Sequence, residues 1–326
     1  MRRQSEDLGA LRSIVGRELR EPVRESARWL ASEIAHIHGD SVLGILFYGS
    51  CLRNESDEGV FDFWVIVDDY RTAYSNPALA LANRIAPPNV FFVERDHDGK
   101  TLRTKFGVID RRAFAKGASL GAWHPYIWAR FAQPTRALSV RDDEAWSFLE
   151  ESLSEAIIAM VGRLTSQLPS RGGLLRFSLA AFWQEAFRRT YDSERRPEAE
   201  ESIRGLYHAD ADRYDAVGFL AMRELAARGH FVSATEHPRS FSVELTRPTR
   251  SVQRLRWQLM RPYSRAIGLV RLLKTAFTFG DWVPYVLFKI EWHTGRHIEL
   301  TKLQRRHPLI FGWPIILPLL LRRNLR

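Results

Sequence analysis

Hydrophobic positions along this chain change period several times, and the changes divide it into elements. Val23, Ala27, Leu30, Ile34 and Ile37 recur at helical spacing, which predicts one helix over about 17–38, stopped by Gly39-Asp40. The pattern then becomes continuous. Leu43-Gly44-Ile45-Leu46-Phe47-Tyr48 and Phe61-Asp62-Phe63-Trp64-Val65-Ile66-Val67 read as strands buried on both faces. Residues 70–83 read as loop and helix, and Pro87-Pro88 breaks the chain. Val90 to Glu94 predicts a third strand, Asp96-His97-Asp98-Gly99 a hairpin turn, and Lys105 to Asp110 a fourth strand. Helical spacing returns over 142–168 through Leu149, Leu153, Ala156, Ile157, Met160 and Leu164, and again over 174–190 and 213–228. The expected fold class is therefore α+β. A mixed sheet with flanking helices fills 1–140, a helical domain fills 141–245, and a region of different character occupies 246–326.

That last region stands apart in charge. The chain of 326 residues carries a formal net charge of +10, but from Thr246 onward there are 16 Lys/Arg against 3 Asp/Glu. The preceding 245 residues hold 32 basic and 35 acidic side chains, so all of the excess positive charge is C-terminal. Such asymmetry points to a polyanionic partner, nucleic acid or an anionic membrane surface. Cys51 is the single cysteine, which excludes an internal disulfide and a cysteine-built zinc site and fits a reducing compartment. Met1-Arg2-Arg3-Gln4-Ser5-Glu6-Asp7 leads into a charged stretch without an apolar core, so no secretory signal is expected.

Two features favour a membrane over nucleic acid. Ser264 to Phe279 predicts a basic amphipathic helix, and Pro308 to Leu321 runs 14 residues without a charge between Arg305-Arg306 and Arg322-Arg323. As a helix that run reaches about 21 Å, short of the roughly 30 Å hydrocarbon core. It fits a segment lying in one leaflet, with arginines and Trp313 at the headgroups. RNA would instead call for basic residues interleaved with exposed aromatics, and nucleic acid is not the expected partner. The expected location is the cytoplasmic face of a membrane, peripheral or monotopic through the C-terminal region.

Candidate chemistry concentrates between Leu43 and Asp69. Gly49 and Ser50 at a strand exit offer close backbone approach, free N–H groups and a hydroxyl, which suit a phosphate. Eleven residues beyond Ser50, Asp62 is a lone carboxylate in an apolar strand. That is costly without a partner, and a divalent cation carried by a triphosphate would supply one. Strand, Gly-Ser, about ten residues, then a strand bearing Asp resembles the polymerase-β-like nucleotidyltransferase superfamily. Many members carry a second carboxylate at i+2, where this chain has Trp64. Asp68 shares the face of Asp62 by parity but lies about 20 Å along the strand, too far for a common ion. A second ligand would come from another strand, with Asp110 the first candidate and Glu94 the second. Asp57 and Glu58 in the preceding loop are further acids. Loss of catalysis is the other reading of the missing acid.

A narrower resemblance follows from four segments in order. Asp62-Phe-Trp-Val-Ile-Val-Asp-Asp69 is similar to the Asp-Phe-x-x-x-Val-Asp-Asp run of the mitochondrial-type phosphatidate cytidylyltransferases, the CDP-diacylglycerol synthases of the translocator assembly and maintenance family. That family also lacks an acid at i+2. Lys105-Phe106-Gly107-Val108-Ile109 resembles its Lys-Tyr-Gly-Val-Ile, and Trp123 to Pro134 its Trp…Gly-Arg-Leu-x-Lys-Pro segment, with the helix from Asp142 next. The family's His-Tyr-Ser falls near Ala86-Pro87-Pro88, where this chain departs from it. The resemblance spans about residues 42–165.

It implies transfer of a cytidylyl group from CTP to phosphatidate, giving CDP-diacylglycerol and pyrophosphate, with Mg²⁺ as cofactor. Gly49 and Ser50 would hold the β- and γ-phosphates, Asp62 would ligate Mg²⁺, Lys105 would neutralise triphosphate charge, and Arg130 would meet a phosphate or the lipid headgroup. Phosphatidate is already a nucleophile at neutral pH, so no strong general base is required. His293 and His297, four apart, lack the intervening acid of a zinc-protease helix. Two alternatives stay open: a nucleotidyltransferase with another acceptor (a different phospholipid, a small molecule or RNA), and a non-catalytic nucleotide-binding membrane protein.

Overall fold

The computed structural model describes residues 6–170, 174–194, 200–237 and 239–278. The helical stretch expected over 17–38 is two helices, α1 (Glu6–Arg20) and α2 (Glu25–His38), because Pro22 interrupts the ladder between them. There follow β1 (Val42–Tyr48), α3 (Ser50–Arg53), β2 (Val60–Val67), α4 (Tyr70–Ala73), α5 (Pro77–Ile85), β3 (Asn89–His97) and β4 (Lys100–Asp110). Asp98 and Gly99 both take positive φ (49° and 73°) in the β3–β4 turn, as the Asp-Gly pair predicts. Next come α6 (Arg111–Ala118), α7 (Trp128–Phe131), β5 (Thr135–Val140) and α8 (Asp143–Thr165).

The five strands form one mixed sheet in the order β3-β4-β2-β1-β5, with β2 and β4 parallel and the other pairs antiparallel. β1 is buried at every position, as a central strand covered on both faces should be. Alternation sorts its neighbours. Ile45, Phe47, Phe61, Phe63, Val65, Phe106 and Val108 pack under Ala27, Leu30 and Ile34 of α2. Leu46, Tyr48, Trp64, Ile66 and Ile109 face the opposite way, toward Leu11 and Val15 of α1, Phe131 of α7 and Leu149, Leu153 and Ile157 of α8. Asp62 shares parity with Trp64 and so belongs to this second face.

The expected helical segment 141–245 also carries a sheet. Residues 174–178 form strand β6 (Leu174–Ser178), not the start of a helix, followed by α9 (Leu179–Glu194), α10 (Glu200–His208) and α11 (Ala211–Ala227). β7 (Ser233–His237) and β8 (Ser240–Glu244) complete a three-stranded antiparallel sheet in the order β6-β8-β7. This half shares one apolar core with the first, since Trp183, Tyr214 and Leu225 join the cluster that holds Trp64 and Leu46. Glu18 ties the halves through polar bonds as well, accepting from Thr135 N at 2.7 Å and from Arg213 Nε at 2.8 Å. The last described element, α12 (Arg247–Thr278), begins 17 residues before the basic amphipathic helix expected at 264 and contains Pro262. It buries Trp257, Met260, Ser264 and Arg271 and leaves Val252, Leu255, Leu259, Leu269 and Leu273 exposed. Residues 6–278 hold no helix long and apolar enough to cross a membrane among those described. The uncharged run at 308–321, its flanking arginines, His293 and His297 lie outside the described residues.

Candidate active site

The site is built where β1 ends beside the early part of β2. Gly49 follows Tyr48 with φ +96°, a conformation that L side chains rarely adopt. A Cβ placed there would stand 3.1 Å from Asp62 Oδ2, so glycine is required for space as well as for torsion. Tyr48 and Asp62 are direct partners in the β1–β2 ladder, which fixes the Gly-Ser turn against the carboxylate. Ser50 opens α3 and is exposed.

Across the parallel pair, Asp62 is in register with Lys105, and the ammonium lies 2.7 Å from Asp62 Oδ1. Both side chains are partly open to solvent (24% for Asp62 and 36% for Lys105), so the pair is reachable from outside. Gly49, Ser50, Asp62 and Lys105 thus come together on one face of the sheet. A free hydroxyl and backbone turn, a carboxylate that accepts a cation and a cation that accepts a phosphate form one small surface.

The two acids expected to complete a metal site do not join Asp62. Asp110 lies five positions beyond Lys105 on β4, so strand parity turns it to the other face, about 16 Å away. Its carboxylate caps α6, accepting from Ala113 N at 2.7 Å. Glu94 faces the right way but sits two strands and two residues off, about 12 Å from Asp62 between backbones, and is held by Arg103 at 2.7 Å. Asp57 is engaged by Arg24 at 2.5 Å and by Ser26 at 2.7 Å. Asp68 pairs with Arg141, and Asp69 caps α4 through Arg71 N. No group of three metal-ligating side chains occurs among the described residues.

Arg130 is placed on the same face but is not presented to solvent. It is buried in a bidentate pair with Glu194 of α9 (2.9 and 3.0 Å), donates to Tyr126 O at 2.6 Å and stacks 4.0 Å over the Tyr126 ring. Burial pulls its pKa down, but Glu194, with Tyr48 and Tyr126, outweighs that and holds it well above the ordinary value. Tyr126 in turn packs on Trp64, two residues from Asp62, with ring centroids 5.8 Å apart.

Sequence reasoning missed a contribution from α12. Arg271 stands 3.9 Å over the Tyr126 ring, donates from Nε to Pro87 O at 2.8 Å and has Nη2 3.2 Å from His124 Nε2. Lys274, one turn on, donates to Ala86 O at 2.5 Å and Pro88 O at 2.8 Å, and reaches Ala82 O at 3.4 Å. Pro88 lies over Gly107, whose added Cβ would meet it at 3.3 Å and Trp64 at 3.7 Å. A basic helix was legible, but nothing in its spacing says which arginine turns inward. Burial and Arg271 push the His124 pKa down to about 4, so this ring is neutral near pH 7.

No family model matches the chain, and no curated protein matches it.

Proposed function

We propose that this chain is a nucleotidyltransferase of the polymerase-β type that transfers a cytidylyl group from CTP to phosphatidate at a membrane surface. The observation that carries this reading is the contact of the Gly49-Ser50 turn with Asp62, which itself faces Lys105 in register. It is the juxtaposition that phosphoryl transfer to an acceptor oxygen needs: a phosphate cradle, a carboxylate and a cation within one side-chain length of each other.

In the reaction, a phosphatidate oxygen bonds to the α-phosphorus of CTP, the bond from that phosphorus to its bridging oxygen breaks, and pyrophosphate departs. Gly49 and Ser50 hold the outer phosphates through backbone N–H and hydroxyl. Lys105 leaves Asp62 to neutralise triphosphate charge. Asp62 fits a Mg²⁺ that arrives with the nucleotide, since such an ion uses one or two carboxylates and fills its other positions with phosphate oxygens and water. When bound, the ion would draw charge from the transferring group. The acceptor is ionised at neutral pH, which suits a site without a basic histidine.

The membrane reading is supported by α12, which bears eight basic and no acidic residues over 247–278 and an exposed apolar stripe beside them. The direct test supplies radiolabelled CTP and Mg²⁺ to purified full-length protein with phosphatidate in mixed micelles. Labelled CDP-diacylglycerol is expected. Label in another acceptor, or nucleotide binding without turnover, would overturn the assignment of substrate or of catalysis respectively.

A further inference from the structure

Buried charges are normally matched by opposite charge, because an uncompensated one loses its hydration without return. Among the described residues that balance fails around Tyr126. Arg130 and Arg271 lie here together with Lys274, whose pKa burial and Arg271 pull down to about 7, and Glu194 is the carboxylate near the two arginines. Glu194 is already taken in a bidentate bond by Arg130. Lys274 is accounted for by three carbonyls at the end of α5 and just beyond it, a good seat for an ammonium. Arg271 is not accounted for. It has no carboxylate partner among the described residues; a carbonyl, a neutral imidazole and a tyrosine face are its neighbours. Its Nη1 makes no hydrogen bond there and is not among the atoms sealed from solvent.

The position is equally informative. Trp64 and Gly107, on which Tyr126 and Pro88 rest, lie two residues past Asp62 and Lys105 on the same face, about 7 Å along the strands. We infer that Arg271 is the receptor for a phosphate monoester, the phosphate of the acceptor, held beside the Tyr126 ring over the same face of the sheet as the Asp62–Lys105 pair. The inference rests on the transferase reading for the word acceptor, and on the unmatched guanidinium for the phosphate. Nη1 and Nη2 present a fork that a phosphate fits bidentately. Tyr126 is the positioning residue that fixes the guanidinium plane by stacking, and Arg130, held by Glu194, in turn stacks on and bonds Tyr126. Burial lowers the pKa of Arg271, as it would for a cation awaiting its counter-ion.

The test measures binding to the full chain by calorimetry with dihexanoyl phosphatidate, glycerol 3-phosphate, inorganic phosphate and dihexanoylglycerol, alongside steady-state kinetics. The wild type should bind the three phosphates and not the diacylglycerol. Tighter binding of the phosphatidate marks a lipid source, and equal binding marks a free phosphate. Arg271→Gln should weaken phosphate binding about 10- to 100-fold and raise KM for the acceptor by a similar factor, with KM for CTP unchanged. Arg271→Lys, which keeps the charge and the α12 seat, should fall between. Unaltered phosphate binding in folded Arg271→Gln or Arg271→Lys, a rise in the CTP KM alone, or no phosphate binding by the wild type would each overturn the assignment. Phosphate binding through Arg271 without transfer from any nucleotide would instead sink the transferase reading and leave the anion site standing.

Discussion

Asp62 and Lys105 face each other across the parallel β2–β4 pair of the five-stranded sheet, carboxylate to ammonium at 2.7 Å, with Gly49 pressed against the other side of the carboxylate. A pair this open to solvent contributes about 1 kcal/mol or less to stability. Its worth is in placement. Lys105 stands where a second cation would compete with it for Asp62, and a triphosphate would compete with Asp62 for its ammonium.

Asp62→Asn should therefore separate activity from folding. Loss of the charge is expected to reduce cytidylyl transfer by at least about 10³-fold, in line with removal of a principal electrostatic group from a transfer site. The thermal midpoint should move by only a few degrees, because the side chain is partly exposed. Label transfer and a melting curve on the same preparation decide it. Retained turnover would remove Asp62 from the chemistry.

Gly49→Ala should damage the site more than its size suggests. The residue sits at φ +96°, and the new methyl would press on Asp62 Oδ2 at 3.1 Å. Left-handed strain costs about 1–2 kcal/mol, and the displaced carboxylate would lose its alignment with Lys105. Transfer should fall while the protein remains folded, as judged by circular dichroism. Near-normal kinetics would show that the turn is only a connection.

How far the sequence discloses this arrangement depends on the kind of contact. β1 through β4 were legible because their apolar runs are long and their turn residues, Gly49 and Asp98-Gly99, have few uses. Asp62 stood out as one acid among aromatics. The pairing of Asp62 with Lys105 was not legible, since register between strands 40 residues apart is set by side-chain packing on both faces rather than by local spacing. Asp110 ranks first and Glu94 second as the further ligand in sequence, yet strand parity and an Arg103 partner take them elsewhere. β5 and the β6-β8-β7 sheet escaped notice because Arg136, Ser139, Arg176 and Ser178 break the apolar pattern on strands that are only half buried.

Arg130 and Glu194 form a buried bidentate pair, and removing one partner leaves the other charge stranded. Glu194→Ala or Arg130→Ala alone should each cost about 3–5 kcal/mol. Replacing both together should cost much less than the sum, which a double-mutant cycle in urea would read as coupling. Additive losses would mean the two charges do not depend on each other.

Stability should fall in mild acid through His124. Its folded pKa is near 4, below the unfolded value of 6.5. Below 6.5 the unfolded chain takes up a proton that the folded chain refuses, so the native state is fully favoured above pH 6.5 and loses ground down to about pH 4. His38 acts in the same direction, its pKa lowered by burial. His124→Asn should flatten part of the decline in urea-unfolding free energy between pH 7 and pH 4.5. An unchanged slope would exclude His124 as its source.

The exposed stripe of α12 gives the final prediction. Val252, Leu255, Leu259, Leu269 and Leu273 are each more than half exposed on one side of a helix whose other side seats Trp257, Met260 and Arg271. Spacings of three, four and ten keep them on one line. Full burial of a leucine is worth about 1.5–3 kcal/mol, and shallow insertion beside headgroups recovers a part of that. Arg247 and Arg254, exposed on the same helix, add about 1 kcal/mol each near an anionic leaflet. Changing Leu255, Leu259, Leu269 and Leu273 to serine should lower partitioning into vesicles of phosphatidate and phosphatidylcholine at least about 10-fold. Transfer to dihexanoyl phosphatidate, which needs no bilayer, should persist. High salt should weaken vesicle binding of the wild type, because screening reduces the arginine contribution. If the serine variant pellets with vesicles as the wild type does, α12 is not the surface that meets the lipid, and residues beyond 278 carry the attachment.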